Sequence, residues 1–242
     1  MNLLFILDPL DTLNIKKDTS YAMMREAASR GHQTWAAQQK NISFIENKVM
    51  VNARQLSILD DRSAWYEVLE SKELAPAEID GIIMRKDPPF DMEYIYSTYL
   101  LESLEQDGCV VFNRPRSIRD FNEKLAITKY PEFIAPTVVT ADHTTIKQFI
   151  DKNNEIILKP LDGMGGSSIF RSRPDDPNLG VIIETLTDFG RRTIMVQKFI
   201  PQIKDGDKRV LLIDGEAIPF SLARIPQGSD HRGNLAAGGR GV

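Results

Sequence analysis

Short apolar runs that alternate with capped helical segments constrain this chain most. Residues 3–7 (Leu3, Leu4, Phe5, Ile6, Leu7) form an unbroken apolar run closed by Asp8-Pro9, the pattern of a strand buried on both faces of a parallel sheet. Thr19 stands where a helix cap is expected, the helix runs to about residue 30, and Gly31 occupies the place of a C′ glycine. Residues 33–36 read as a strand, residues 42–59 as shorter strands around an Asn47 turn, and residues 82–84 as another short strand. Asp91 opens a helix with apolar positions at Tyr94, Ile95, Leu101 and Leu104; Gly108 ends it, and residues 109–112 return as a strand. Strands alternating with helices predict an open α/β sheet, whose first unit closes near Asn122.

A second unit follows. Residues 137–140 read as a strand, Asp142 caps a helix to about residue 152, and residues 155–159 form a strand before the glycine-rich turn 162–168. A return strand is expected at 167–171, a helix at 178–189, and a strand at 193–200 stopped by Pro201. Residues 208–213 and 216–225 flank Asp214-Gly215, a strong two-residue hairpin signal. Without a bulge, parity puts Asp207, Arg209 and Arg224 on one hairpin face. The tail 228–242 is glycine-rich and polar, with little to pack.

Composition narrows the class. With 42% hydrophobic residues in 242, the chain can bury a core without staples. The 30 Lys and Arg against 34 Asp and Glu give a net charge of -4, which argues against a nucleic-acid partner. The one cysteine, Cys109, sits in an apolar strand and has no internal partner, pointing to a reducing compartment. The first apolar run has no basic flank, and no apolar stretch approaches the roughly 20 residues of a membrane span, so a soluble cytoplasmic protein is expected.

The sharpest chemical motif is Lys159, at a strand end, followed at once by Gly163, Gly165, Gly166, Ser167 and Ser168. Glycine amides approach phosphate oxygens closely, and a lysine adds a point charge. In a P-loop the lysine follows the glycines; here it precedes them, and no G-x-G-x-x-G follows the first strand. The alternative is a glycine hairpin beside a solvated lysine. The strand end Gln197, Lys198, Phe199 and Ile200 can offer backbone groups to an adenine edge. Arg85 ends the strand at 82–84, and ligands of open sheets bind beyond the carboxyl ends of strands, where a guanidinium can hold a carboxylate. Lys17, Asp18 and Ser20 can line the same end. His143 and His231 read as surface residues and His32 follows a helix end; no metal ligand is assigned.

Longer segments carry a resemblance. Asn14-Ile15-Lys16-Lys17-Asp18, Met84-Arg85-Lys86-Asp87-Pro88-Pro89-Phe90, Asn122-Glu123-Lys124-Leu125, Lys159-Pro160-Leu161-Asp162-Gly163-Met164-Gly165-Gly166, Lys204-Asp205-Gly206-Asp207-Lys208-Arg209 and Arg232-Gly233-Asn234-Leu235-Ala236-Ala237-Gly238-Gly239-Arg240-Gly241 occur in order. Together they resemble the bacterial glutathione synthetases, which are ATP-grasp ligases. The resemblance implies an α/β ATP-grasp fold: an N-terminal open α/β (pre-ATP-grasp) domain at 1–122, a central lid domain at 123–200 and the start of a C-terminal domain at 201–242. It implies ligation of γ-glutamylcysteine and glycine through an acyl phosphate, with ATP and Mg2+ or Mn2+, and a homo-oligomer as the family expectation. Nucleotide contacts would fall on Lys124, Lys159, the turn 163–168, the strand end 197–200 and Asp207, with Lys124 and Lys159 on phosphates and Asp207 on the ribose. Arg209 and Arg224 suit the catalytic charge that develops on phosphoryl oxygens. Arg85 would bind substrate, as would Arg232, Asn234 and Arg240 in the segment 227–241, which resembles the family's mobile lid.

The family pattern continues past Val242 with the strands that carry its magnesium-binding carboxylates and asparagine. From this come three expectations: that residues 1–242 alone are catalytically silent, that they bind ATP weakly, and that the hairpin's apolar residues lie partly exposed. The rival readings are a non-catalytic nucleotide-binding remnant and another peptide or D-alanyl ligase of the same fold.

Overall fold

The first apolar run becomes the central strand of a parallel sheet. The structure, a computed structural model, describes residues 1–61, 64–228 and 232–242, and it divides into two units, Met1–Asn122 and Glu123–Val242. In chain order unit 1 holds β1 (Asn2–Ile6), α1 (Thr19–Ser29), β2 (Gln33–Ala37), β3 (Ile42–Ile45), β4 (Lys48–Ile58), β5 (Tyr66–Leu74), β6 (Gly81–Met84), α2 (Met92–Gln106), β7 (Val110–Phe112) and α3 (Pro115–Asp120). β1 runs parallel to β2 and β6, and β6 to β7, while β4 pairs antiparallel with β2, β3 and β5. Leu4 and Ile6 pack on one face with Trp35, Ile82, Leu101 and Leu104, and Phe5 and Leu7 on the other with Tyr21, Met24 and Ile83. Burial on both faces is why the run is continuous rather than alternating.

Local signals set several boundaries. The Asp91 carboxylate accepts from the Tyr94 N–H at 2.9 Å, so Asp91 is the cap expected for α2. For α1 the cap is Asp18, not Thr19: its carboxylate accepts from the Ser20 and Tyr21 amides at 2.7 and 3.3 Å. Gly31 follows at φ +77°, as a C′ glycine should. The turn between β3 and β4 holds Glu46 and Asn47 at positive φ. β5 and α3 carry no sequence expectation. β5 is largely exposed and charged, so neither face alternates, and it is held by its ladder to β4.

Unit 2 holds β8 (Thr137–Thr140), α4 (His143–Asn153), β9 (Ile156–Pro160), β10 (Phe170–Ser172), α5 (Leu179–Thr187), β11 (Ile194–Lys198), β12 (Asp207–Ile213), β13 (Glu216–Ile225) and β14 (Arg240–Gly241). An antiparallel sheet of order β10-β9-β11-β8 buries Ile156, Leu158, Ile194 and Val196 against Ile146 and Ile150 of α4 and Ile183 of α5. The register puts Thr137, Val139, Ile157, Lys159, Met195 and Gln197 on the opposite face. The return strand is shorter than expected: Ser167 and Ser168 belong to the glycine turn, with Ser168 at φ +55°.

The second sheet is β12-β13-β14. Asp214 and Gly215 lie at positive φ, as the hairpin signal requires. A bulge does interrupt the pairing between Val210 and Leu212, in the stretch of β13 that includes Pro219, which has no N–H to give a ladder. Asp207 still faces Arg224 and Arg209 faces Leu222, so the expected sharing of one face survives. Val210, Leu211, Leu212, Ile213 and Phe220 are exposed. The tail is better packed than expected. β14 pairs with β13, and a Cβ on Gly239 would lie 2.3 Å from the Gly233 carbonyl oxygen.

Candidate functional site

Lys159 emerges from β9 on the sheet face that the helices leave free, and its ammonium donates to Gln197 Oε1 at 2.6 Å. Lys124 reaches the same region from the start of the unit, donating to Glu123 Oε1 at 2.7 Å and to the Gly163 carbonyl. Burial, and then the neighbouring Lys124 ammonium, hold the Lys159 pKa below the usual lysine range. With Lys124 also paired to the Glu123 carboxylate, the two ammonium groups can still take an anion between or above them. That donor set, at the head of a glycine turn, fits phosphate oxygens.

The turn itself is built for close approach. Gly165 and Gly166 have φ +67° and +85°, a region where a side chain is strained. A Cβ on Gly166 would lie 3.1 Å from Asn234 Oδ1 and 3.2 Å from Arg232 Cδ, and Arg232 Nη1 donates to the Gly166 carbonyl at 3.1 Å. Arg192 and Asp162 form an ion pair at the beginning of the turn.

Asp207 and Arg224, paired across the hairpin, form a two-point ion pair: Nε to Oδ1 at 2.6 Å and Nη2 to Oδ2 at 2.8 Å. Gly233 is buried against them, since a Cβ there would lie 2.8 Å from the Arg224 carbonyl and 3.2 Å from Asp207 Oδ2. The segment from Arg232 onward thus packs on both the glycine turn and the Asp207–Arg224 pair.

Unit 2 therefore brings together Lys124, Lys159, Gln197, the turn 163–168, Asp207, Arg224, Arg232 and Asn234. Arg209 lies on the same hairpin face as Asp207 and Arg224, and it is exposed, as are Lys198, Ile200 and Arg240. The Lys198 amide is committed to the Pro136 carbonyl and the Phe199 amide to the Glu155 carbonyl, both at 2.9 Å, so neither is free for a purine edge. Phe199 is buried beneath the Arg171 guanidinium, 3.9 Å from its ring centre. His143 is less exposed than expected: its Nε2 is buried without a hydrogen-bond partner among the described residues. His231 lies outside the described residues. Among the described residues no group of three or more His, Cys, Asp or Glu is placed to hold a metal ion, and no helix is long and apolar enough to cross a membrane.

Unit 1 has its own cluster at the carboxyl ends of the parallel strands. The Arg85 amide donates to the Ile6 carbonyl at 2.7 Å, and its Nε donates to Ser20 Oγ at 3.0 Å. Asp8 pairs with Lys86 at 2.9 Å and accepts from the Asp87 amide at 2.9 Å. Burial, then the Asp8 and Asp18 carboxylates, push the Asp87 carboxyl above the usual range. Lys17 is exposed on the turn before α1. A cavity of about 590 Å3, lined by Leu7, Asp8, Gln38, Lys86, Tyr96 and Ser97 among others, opens beside the Lys86–Asp8 pair.

Sequence reasoning missed Thr137, whose hydroxyl accepts from Gln197 Nε2 at 2.9 Å, and the Asp162–Arg192 pair. Both depend on which strands lie side by side, which no local signal carries.

Comparison with known proteins places this geometry. A family model described as prokaryotic glutathione synthetase, N-terminal domain, matches residues 1–119, and one described as prokaryotic glutathione synthetase, ATP-grasp domain, matches residues 123–242. Glutathione synthetase of Nitrosomonas europaea is 55% identical over 245 residues, spanning 100% of this chain and 77% of that protein. That of Shewanella oneidensis is 50% identical over 237 residues, spanning 98% and 75%. Among solved structures, D-alanyl-alanine synthetase A from Vibrio cholerae superposes with a TM-score of 0.57 at 13% identity, covering 94% of this chain and 68% of that one. The ATP-grasp ligase PsnB in complex with a precursor variant, Mg and ADP gives 0.56 at 18% identity, covering 94% and 73%. At those identities the two structures speak for the ATP-grasp fold alone. With family models over nearly its whole length and relatives at half identity or more, the chain belongs to the prokaryotic glutathione synthetase family.

Proposed function

We propose that the protein joins γ-glutamylcysteine to glycine with ATP, forming glutathione, ADP and phosphate. The observation that carries this reading is the Lys124–Lys159 pair at the head of the glycine turn, which sets a second ammonium beside the partly buried Lys159. In this reading Lys124 and Lys159 hold phosphate oxygens, and the turn from Gly163 through Gly165, Gly166 and Ser167 to Ser168 cradles them with backbone amides. The strand end Gln197, Lys198, Phe199 and Ile200 borders the adenine. With the Lys198 and Phe199 amides already bonded, their carbonyls and Ile200 are what that end can offer.

Asp207 faces the ribose hydroxyls. Each carboxylate oxygen keeps a lone pair after binding Arg224, so the two roles are compatible. Arg224, held by Asp207, and Arg209, beside it on the same hairpin face, neutralise charge as the cysteinyl carboxylate takes the phosphoryl group. The glycine amine then attacks the acyl phosphate and phosphate leaves. Arg232, Asn234 and Arg240 line the loop that keeps water from that reactive intermediate, and Arg85 takes a carboxylate of γ-glutamylcysteine. A divalent cation, Mg2+ or Mn2+, would neutralise phosphate charge, but the described residues offer no group of three or more His, Cys, Asp or Glu to hold it. The domain division at residues 122 and 200, a homo-oligomeric state and a cytoplasmic location complete the reading; the single buried Cys109 fits a reducing compartment.

The test is phosphate release by the full-length protein with ATP. Turnover is expected with γ-glutamylcysteine plus glycine and not with D-alanine. Turnover with D-alanine alone would overturn the substrate assignment in favour of a D-alanyl ligase.

A further inference from the structure

We propose that Thr137 is a positioning residue of the nucleotide site, aiming the Lys159 ammonium through the side chain of Gln197. The three residues stand on three adjacent strands and share one sheet face: Gln197 of β11 lies opposite Thr137 of β8, and Lys159 of β9 is its diagonal neighbour. The hydrogen bonds between them run in one direction. Lys159 Nζ donates to Gln197 Oε1 at 2.6 Å, Gln197 Nε2 donates to Thr137 Oγ1 at 2.9 Å, and Thr137 Oγ1 donates to the Ala135 carbonyl at 2.7 Å.

Both ends of this chain fix its sense. An ammonium only donates, so the Gln197 oxygen must face Lys159; a carbonyl only accepts, so the Thr137 proton must go to Ala135. With its proton spent there, the hydroxyl is left as the acceptor for the Gln197 amide. A flipped Gln197 would set N–H groups against the ammonium and leave its oxygen facing a hydroxyl that has no proton to give. The threonine hydroxyl therefore selects the amide orientation that offers an acceptor to Lys159.

Lys159 needs such a hold. Its stem is flexible, burial disfavours its charge, and the Lys124 ammonium repels it. A preset acceptor keeps the ammonium in place before an anion arrives, so less ordering is left to the binding step. Thr137 itself carries no charge and forms no part of the glycine turn.

This inference rests on the ATP reading of the site, and the experiment separates the two. Binding of a non-hydrolysable ATP analogue and steady-state kinetics are measured on the full-length protein for the wild type, Thr137→Val and Thr137→Ser. Valine keeps the β-branched shape and loses the hydroxyl, whereas serine keeps the hydroxyl. Thr137→Val is expected to raise the analogue Kd and the KM for ATP about three- to tenfold, with kcat at saturating ATP changed less than about twofold. Thr137→Ser is expected to bind within about twofold of the wild type. Unchanged affinity in Thr137→Val, or equal impairment in Thr137→Ser, would overturn the positioning role while leaving the ATP reading intact. A wild-type protein that fails to bind the analogue would overturn both.

Discussion

The strand ends of unit 1 gather carboxylates among cations, whereas the glycine turn of unit 2 sets one lysine ammonium beside another. In unit 1, Asp8, Asp18 and Asp87 gather around Arg85 and Lys86, and burial, then the repulsion of Asp8 and Asp18, raises the Asp87 carboxyl. In unit 2, burial and then the neighbouring Lys124 ammonium lower the Lys159 pKa. In the proposed site each arrangement suits a ligand of its own charge pattern. The lysine pair, even with Glu123 on Lys124, suits phosphates. The mixed cluster suits a molecule with both an ammonium and carboxylates, as γ-glutamylcysteine is. The scaffolds differ in the same sense. The parallel sheet of unit 1 is buried on both faces and leaves only its strand ends for chemistry. The antiparallel sheet of unit 2 packs helices on one face and presents Lys159 and Gln197 on the other.

The largest effect is expected from Lys159→Ala. It removes a charge-assisted contact worth roughly 1.5–3 kcal/mol, so the Kd of the full-length protein for a non-hydrolysable ATP analogue should rise about ten- to a hundredfold. Isothermal titration measures this directly, and unchanged affinity would sink the contrast between the two clusters. Next comes Arg85→Ala, expected to raise the KM for γ-glutamylcysteine about tenfold while leaving the Kd of the ATP analogue within about twofold. A loss confined to ATP would show that the unit 1 cluster is not the peptide end.

The smallest effect is the pH response of unit 2. In the proposed site Lys159 binds phosphate only when charged. Nucleotide affinity should then fall severalfold as pH rises through the lowered Lys159 pKa, earlier than for an ordinary lysine at about 10.4. Lys159→Arg should abolish that early loss, and a wild-type profile flat up to the ordinary lysine range would contradict the crowding. The unliganded fold responds with the opposite sign. The unfolded chain binds the Lys159 proton more tightly than the native one, so stability rises with pH through the same window.

Much of the scaffold was legible because it rests on local chemistry. The residue 3–7 run, the Asp91 and Asp142 caps and the Asp214-Gly215 turn each act within a few residues of themselves. The α1 boundary shows the limit. Thr19 and Asp18 are both acceptable caps, and Asp18 wins because its carboxylate reaches two amides of the first turn. β5 was not legible, since a charged, exposed strand carries no alternation and exists through its ladder to β4. The tail was misread for a related reason. Its glycines look like slack in a linear reading, but Gly233 and Gly239 are glycines because other backbone segments press against them.

The sequence by itself determined most of the element types, the glycine turn after Lys159 and the kinship with the glutathione synthetases, because caps, periodicity and motif order are properties of neighbouring residues. Only the tertiary structure decided which polar groups meet. Lys124 and Gly163, Lys159 and Gln197, Gln197 and Thr137, and Gly166 and Arg232 are separated by 39, 38, 60 and 66 positions. Their meeting depends on strand order and register, and a one-residue slip of β11 would turn Gln197 toward the helices and break the link to Lys159. Side-chain electrostatics act over a few ångströms of space, and the chain brings those ångströms together only by folding.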